Sequence, residues 1–238
     1  MRLYRFIGDF QFKVGKLEIK DKELFSQLRN VLRLKAGEKI ILCDGRMNEA
    51  VAEIMIYGKD FVEIEIKEIK TNQNEPERHV ILYCSILKKE NFELVVQKAT
   101  EVGVKEIVPL ITERTVKLNI RKDRLEKIIK EASEQSGRGV VPVLAEPVEY
   151  EKALAILKNN DLNLLFDRSG ENFSNLERLD NQGLIGVWIG PEGGWTVQEL
   201  KSVQRSNFKI INLGKLTLRA ETAAIVATHG VIHKFICH

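Results

Sequence analysis

"LIGVWIGPEGGWTVQEL", residues 184–200, joins an apolar run to the start of a helix through a proline, a carboxylate and two glycines. The unbroken apolar run reads as a strand buried on both faces, and "TVQEL" opens a helix. Such a strand implies a mostly parallel sheet between helix layers. Open sheets of this kind place ligands outside the carboxyl ends of their strands.

The flanking sequence repeats the pattern. From His79 onward, "HVILYCSI" is a strand, "KENFELVVQKATEVG" a helix closed by Gly103, "KEIVPLI" a strand and "RKDRLEKIIKEASEQSG" a helix again closed by glycine. "YEKALAILKN" reads as a helix, "LNLLFD" as a strand, "TVQELKSVQRS" as a helix, "FKIINLG" as a strand and "AETAAIVATHGVIHKF" as the last helix. The first 70 residues differ. "RLYRFIG", "KIILCDG", "EAVAEIMI" and "FVEIEIKEI" alternate or form short apolar runs, as strands do. One helix interrupts them, "DKELFSQLRNVLRLKAG", with Leu24, Leu28, Val31 and Leu32 on one face. A small barrel or half-barrel is expected there. "KTNQNEPER", residues 70–78, lacks apolar residues and is the linker candidate.

The chain has 238 residues, is 44% hydrophobic and 30% charged, and carries a net charge of +3. These values describe a folded globular protein, and the charge is too small to establish a nucleic-acid partner. The basic residues between Arg114 and Arg138 suit either a solvated helix face or a phosphate-binding surface. Cys43, Cys84 and Cys237 are far apart and odd in number, as in a reducing compartment. His229 and His233 stand at i, i+4 without a third ligand nearby, so no metal is expected. Met1 opens an alternating, charged segment unlike a secretory signal, and no apolar run approaches the roughly 20 residues of a membrane span. A cytoplasmic protein is expected.

Three strand ends gather in the second half: "LLFDRSG", "WIGPEGG" and "NLGKLTLRAETAA". The first contributes Leu165 and Phe166 as candidate cofactor contacts, and the second Ile189, Gly190, Pro191, Glu192, Gly193 and Gly194. Glycines there leave the backbone open to a ligand, although each could equally be a steric turn residue. The third contributes Leu213, Gly214, Leu216, Thr217 and Leu218, an apolar loop at a sheet edge that needs a cover. A flat aromatic ring such as adenine would provide one, and so would a partner subunit. Neither GxGxxG after the first strand of the α/β region nor GxxxxGK[ST] is present. An adenosine compound without a pyrophosphate, such as S-adenosylmethionine, fits this combination.

"IGPEGGW" followed by "LGKLTLRAETAA" resembles the paired C-terminal motifs of the SPOUT class of methyltransferases, and most closely the RsmE family. "NVLRLKAGEKIILCDG", "LKKENFELVVQKATEVGVKEIVPLITERTVKL" and "EASEQSGRGVVP" extend the resemblance over nearly the whole chain. Ala220 stands where that family more often has Thr or Val, and Asn30 where it has His. The resemblance implies a PUA-like, RNA-binding β-module over residues 1–70 and a SPOUT methyltransferase domain over 74–238. A trefoil knot is implied at about 162–238, together with a homodimer formed through the catalytic domain. The implied activity is S-adenosylmethionine-dependent methylation of uridine N3 in 16S ribosomal RNA.

On that reading Arg219 would bind a phosphate or a uracil oxygen of the target, and Glu221 would accept the N3 proton. Alternatively the two pair with each other or cap the last helix. Arg2, Arg5, Arg33, Arg114 and Arg138 are candidate phosphate contacts, each equally readable as a solvated surface charge. Two other classes compete: a non-catalytic RNA-binding or assembly protein on the same fold, and an NAD- or nucleotide-dependent α/β enzyme, which the missing phosphate loops disfavour. A different RNA target is the remaining variant.

Overall fold

The computed structural model describes residues 3–116, 119–156, 160–176, 183–203 and 208–233. The chain divides into two compact units, Met1–Glu75 with Ser133–Val141, and Pro76–Ala132 with Pro142–His238.

In the first unit β1 (Tyr4–Ile7), β2 (Gly15–Ile19), β3 (Lys39–Cys43), β4 (Asn48–Tyr57) and β5 (Val62–Thr71) form a five-stranded sheet in the order β1-β3-β4-β5-β2. The β1–β3 pairing is parallel and the other pairings are antiparallel. Alternation along the strands puts Ala50, Ala52 and Ile54 of β4 beside Val62, Ile64 and Ile66 of β5 in one apolar core.

Helix α1 (Lys22–Ser26) closes over that core with Leu24. Asp21 caps it, its carboxylate accepting the Leu24 amide at 2.9 Å. The helix then widens into a π-helical turn over Gln27–Val31, where the Leu32 amide reaches the Gln27 carbonyl five residues back, at 2.9 Å. The wider turn corrects the expectation from a 3.6-residue period. Leu24 and Leu28 are buried, but Val31 is rotated out to 70% exposure and Leu34 takes its place in the core. Arg33, with φ of 55°, makes the turn that brings the chain back.

The second unit holds a seven-stranded, wholly parallel sheet. Its strands and helices follow in the order β6 (His79–Ser85), α2 (Lys89–Val102), β7 (Glu106–Ile111), α3 (Lys122–Ser136), β8 (Val143–Leu144), β9 (Val148–Glu149), α4 (Tyr150–Ile156), β10 (Leu162–Asn172), β11 (Leu184–Ile189), α5 (Val197–Val203), β12 (Phe208–Asn212) and α6 (Ala220–His233). The spatial order is β12-β10-β11-β6-β7-β8, with β9 also on β7. Residues from Ser133 at the end of α3 belong to the first unit. Gly103 closes α2 with φ of 109°, a left-handed conformation that suits a residue without a Cβ.

Alternate residues serve the two faces of the sheet. On one face Tyr83 stacks on Trp188 at 4.1 Å, among Leu165, Val108, Tyr150 and Trp195. On the other, α6 packs against β6, β11 and α2. Strand β11 is inserted between β10 and β6, so the direction of strand addition reverses there. The carboxyl ends on either side of such a reversal border a crevice.

Candidate functional site

The carboxyl ends of β10, β11 and β12 enclose a cavity of about 620 Å³. Phe166, Asp167 and Arg168 come from β10, and residues 189–195 from the end of β11 and its loop. Ile211–Gly214 and Leu216–Glu221 supply the facing wall with Ala223, and Lys88 and Asn91 come from the start of α2. All the cofactor candidates read from sequence are therefore brought together except Leu165, which is fully buried in the aromatic core of the sheet. Strand alternation explains the exception, since Leu165 and Phe166 point to opposite faces.

The loop after β11 is held from several sides. The Gly194 amide donates to the Pro191 carbonyl at 2.9 Å and closes the turn. The Trp195 indole donates to the Phe166 carbonyl at 3.1 Å, tying the loop to β10. Glu192 accepts the Lys88 amide at 3.1 Å, serving the start of α2, where the Lys88 side chain makes no cap. That carboxylate sits where the positive end of a helix dipole favours it.

The glycines serve different ends. A Cβ at Gly190 would lie 3.0 Å from the Trp195 ring, and one at Gly193 would lie 3.2 Å from Arg114. Those two therefore make room for neighbouring side chains while also lining the cavity. Gly214, with φ of 113°, has nothing within 4 Å of its Cβ position and faces open space.

On the opposite wall Asn212 accepts the Gly214 amide at 3.0 Å and donates to the Gly170 carbonyl. It couples the 213–219 loop to a break in the β10–β12 register between Phe166 and Glu171. Asp167 lies in that break, and its Oδ1 accepts both the amide and the hydroxyl of Ser169, at 2.9 and 2.7 Å.

Six charges line the cavity: Lys88, Arg168 and Arg219 against Asp167, Glu192 and Glu221. A cradle for a polyanion would be dominated by cations. This one is balanced around the apolar Phe166, Ile189, Leu213 and Leu218, and suits a zwitterionic or cationic adenosine compound. Arg219 is 87% exposed and Glu221 10% at the side chain, and their charged ends lie 4.0 Å apart. Cys84, at the end of β6, is buried, which pushes its thiol far above the ordinary range, and the Glu192 carboxylate adds to this. It is unsuited to be a nucleophile.

The arginines expected to contact phosphate differ in their surroundings. Arg5 donates to Cys43 Sγ at 2.9 Å and pairs with Glu49, its side chain 11% exposed. Arg138 is 4% exposed, with Nε and Nη2 on the two Glu75 oxygens at 3.1 and 2.9 Å. Arg138 is thus a buried ion pair, which argues against a phosphate contact for it, whereas Arg5 is part-buried against Glu49 and Cys43. Arg114 donates to the Gly193 carbonyl at 2.6 Å, and Arg33 is exposed. Arg2 and Cys237 lie outside the described residues. His229 and His233 have ring centroids 4.6 Å apart, and no cluster of three metal-ligating groups occurs among the described residues.

Sequence reasoning passed over Lys88, Asn91, Asp167, Arg168, Trp195 and Asn212 in the lining. It also passed over Glu199. That residue is buried in α5, accepts the Thr196 amide at 2.7 Å and receives the Glu113 amide on its other oxygen at 3.1 Å. The signal was present: "TVQE" is the T-x-x-E spacing of a capping box, completed by the Glu199 amide on Thr196 Oγ1 at 3.3 Å.

Comparison with known proteins agrees with this architecture. Residues 73–232 match the family described as RNA methyltransferase domain, and residues 28–67 match the RNA methyltransferase PUA domain. The ribosomal RNA small subunit methyltransferase E of Rickettsia conorii is 32% identical over 223 residues, covering 90% of this chain and 88% of that protein. The protein of the same name from Mesomycoplasma hyopneumoniae is 37% identical over 166 residues, covering 67% and 71%. The crystal structure of the Neisseria gonorrhoeae enzyme of that name, bound to S-adenosyl methionine, superposes with a TM-score of 0.87 at 30% identity, covering 97% of each chain. With a β-rich module before a parallel-sheet domain whose strand ends form one cavity, the chain belongs to the ribosomal RNA small subunit methyltransferase E family of RNA methyltransferases.

Proposed function

We propose that this protein methylates N3 of a uridine in 16S ribosomal RNA of the small subunit, using S-adenosylmethionine held in the cavity at the ends of β10, β11 and β12. The observation that carries the reading is the cavity itself. Two motif segments distant in sequence form its facing walls, with balanced charge and apolar surfaces. S-adenosylmethionine, when bound, supplies an electrophilic methyl group on a sulfonium. Phe166, Ile189, Leu213 and Leu218 would cover the adenine, and the backbone around Gly194 and Gly214 would approach the ribose and methionine parts.

Uracil N3 must lose its proton before its lone pair can attack. Arg219, exposed at the cavity, is suited to hold the target uridine and stabilise charge that spreads onto the flanking carbonyl oxygens. Glu221, the second residue of α6, is suited to take the N3 proton. The N3–carbon bond forms as the sulfur–carbon bond breaks, and the proton passes to the carboxylate. Holding the reactants in line contributes several kcal/mol.

We assign residues 1–70 to RNA affinity and 74–238 to catalysis and dimerisation. With Arg138 engaged by Glu75, Arg2, Arg5 and Arg33 stay the phosphate candidates of the first unit, joined by Arg29, whose guanidinium lies 5.6 Å and 5.9 Å from the Phe25 and Tyr57 ring centroids. The knot has support in the chain path, because β12 pairs outside β10 while α6 returns to β6, β11 and α2. Exposed Val226 on α6 and Leu216, 81% exposed, suit a homodimer contact. A ribosomal substrate suits a cytoplasmic location. No helix among the described residues is long and apolar enough to cross a membrane.

The test is methyl transfer to undermodified small subunits, followed by mass-spectrometric mapping of the 16S RNA. One new N3-methyluridine is expected. Tight cofactor binding with no methyl transferred to any ribosomal RNA would favour the assembly-protein reading instead.

A further inference from the structure

We propose that Arg114 is a positioning residue for the cofactor cavity, and that the turn carrying it, Thr112–Thr115, is a fixed brace for the glycine loop after β11. The inference rests on the cofactor reading above and extends it to a residue outside the cavity lining.

The turn is rigid in its own right. The Thr112 amide donates to Thr115 Oγ1 at 2.9 Å, the two threonine hydroxyls lie 2.8 Å apart, and the Thr115 amide returns to the Thr112 carbonyl at 3.1 Å. The Glu113 amide is fixed separately, on the buried Glu199 carboxylate. With the backbone held on both sides, the Arg114 side chain reaches across to the loop. Its Nη1 donates to the Gly193 carbonyl at 2.6 Å and lies 3.5 Å from the Trp195 carbonyl. Its aliphatic stem fills the space a Gly193 side chain would need.

Gly193 and Gly194 have no side chains of their own to pack, so the contacts made to their backbone set the position of this wall. A charge-assisted hydrogen bond to a carbonyl is among the stronger single contacts. The other oxygen of Glu199 holds the Thr196 amide at the loop's far end. The consecutive residues Glu113 and Arg114 thus engage both ends of the segment Gly193–Thr196.

The experiment compares wild type with Arg114→Ala and Arg114→Lys. Hydrogen exchange of the 190–196 segment is followed without any ligand, S-adenosylmethionine affinity by calorimetry, and RNA affinity as a function of salt. Arg114→Ala is expected to speed exchange in that segment while the melting temperature stays within a few degrees of wild type. It should weaken S-adenosylmethionine roughly ten- to a hundred-fold, as loss of one hydrogen bond to a charged group does. The cofactor KM should rise while kcat at saturation stays within a few-fold, and Lys should restore part of the affinity. The slope of log affinity for RNA against log salt should not change. Loss of a phosphate contact would instead reduce the magnitude of that slope by about 0.7–0.9. A changed slope with unchanged cofactor affinity would overturn the proposal in favour of an RNA contact. Unchanged exchange in 190–196 would overturn it outright. Wild-type protein that binds no S-adenosylmethionine, with exchange still faster in Arg114→Ala, would sink the cofactor reading and leave the brace standing.

Discussion

Gly190 and Gly214 both line the cavity, yet they answer to different constraints, and substitution separates them. At Gly190 a Cβ would stand 3.0 Å from the Trp195 indole, so Gly190→Val should act mainly through packing and lower the melting temperature. At Gly214 the added atoms meet open space, but φ of 113° is strained for valine, at about 1–3 kcal/mol. There the side chain enters the volume assigned to the cofactor. Folded Gly214→Val protein should therefore lose S-adenosylmethionine affinity, and calorimetry giving a wild-type Kd would remove this loop from the site. Arg219 poses a related question. Its side chain is exposed, at the N-terminal end of α6 where the helix dipole disfavours a cation, and its pairing distance to Glu221 is long at 4.0 Å. An exposed pair of this type contributes little to stability. Arg219→Ala is expected to leave the melting temperature and cofactor binding near wild type and to slow single-turnover methylation about a hundred- to a thousand-fold. A rate within a few-fold of wild type would move the catalytic role to Glu221 or to backbone groups.

Over its described span, Val197–Val203, helix α5 opens on the reciprocal bonds between Thr196 and Glu199. Glu199→Gln puts a donor where two amides already donate, and should cost about 1–3 kcal/mol in urea unfolding. Thr196→Ala should cost about 1 kcal/mol. Because both belong to one network, the double variant should cost less than their sum, and strict additivity would show that the box is not a unit. Element by element, legibility in the sequence followed how local each cause is. The parallel strands β6, β7, β10, β11 and β12 and the helices α2, α3 and α6 were legible because apolar runs and helical periods are local signals, whereas the two-residue strands β8 and β9 carry no such run. Strand β2 was not: "GKLEI" is a short edge strand whose partner, β5, lies far along the chain. The π-helical turn was missed because one added residue in a turn leaves no mark on a periodicity, although it moves Val31 from core to solvent. The cavity was legible at its glycine and leucine motifs. Asp167 and Arg168 were not, because the break that places them arises from the pairing of β10 with β12.

The division into two units passes through α3, whose last turn and following loop belong with the β-rich unit. Glu75 explains how that segment is fastened. One of its oxygens accepts the Gly139 and Val140 amides at 3.0 and 3.2 Å, and both oxygens engage Arg138. Nothing in the charge pattern separates such an arginine from a solvated one, which is why Arg138 read as a phosphate contact. Asn72 adds a bond to the Gly137 carbonyl at 3.1 Å and another to Glu49 at 3.0 Å. Burial alone would raise the Glu49 carboxyl, but the bonds from Arg5 and Asn72 and the charges of Arg5 and Lys70 outweigh it and hold Glu49 below its ordinary value. A lowered folded value means stability that is present above the ordinary glutamate range and lost as pH falls through the folded value. Between neutral pH and pH 4, wild type should therefore lose more of its urea midpoint than Glu49→Gln does. Arg138→Ala makes the sharper test at this scale. Removing one partner of a buried ion pair leaves the other charge unpaired in the interior, at about 3–5 kcal/mol. The variant should unfold at markedly lower urea, while the folded fraction keeps wild-type RNA affinity and salt dependence. A stable variant with weakened RNA binding would return Arg138 to the RNA surface and mean that the Glu75 pair opens when RNA binds.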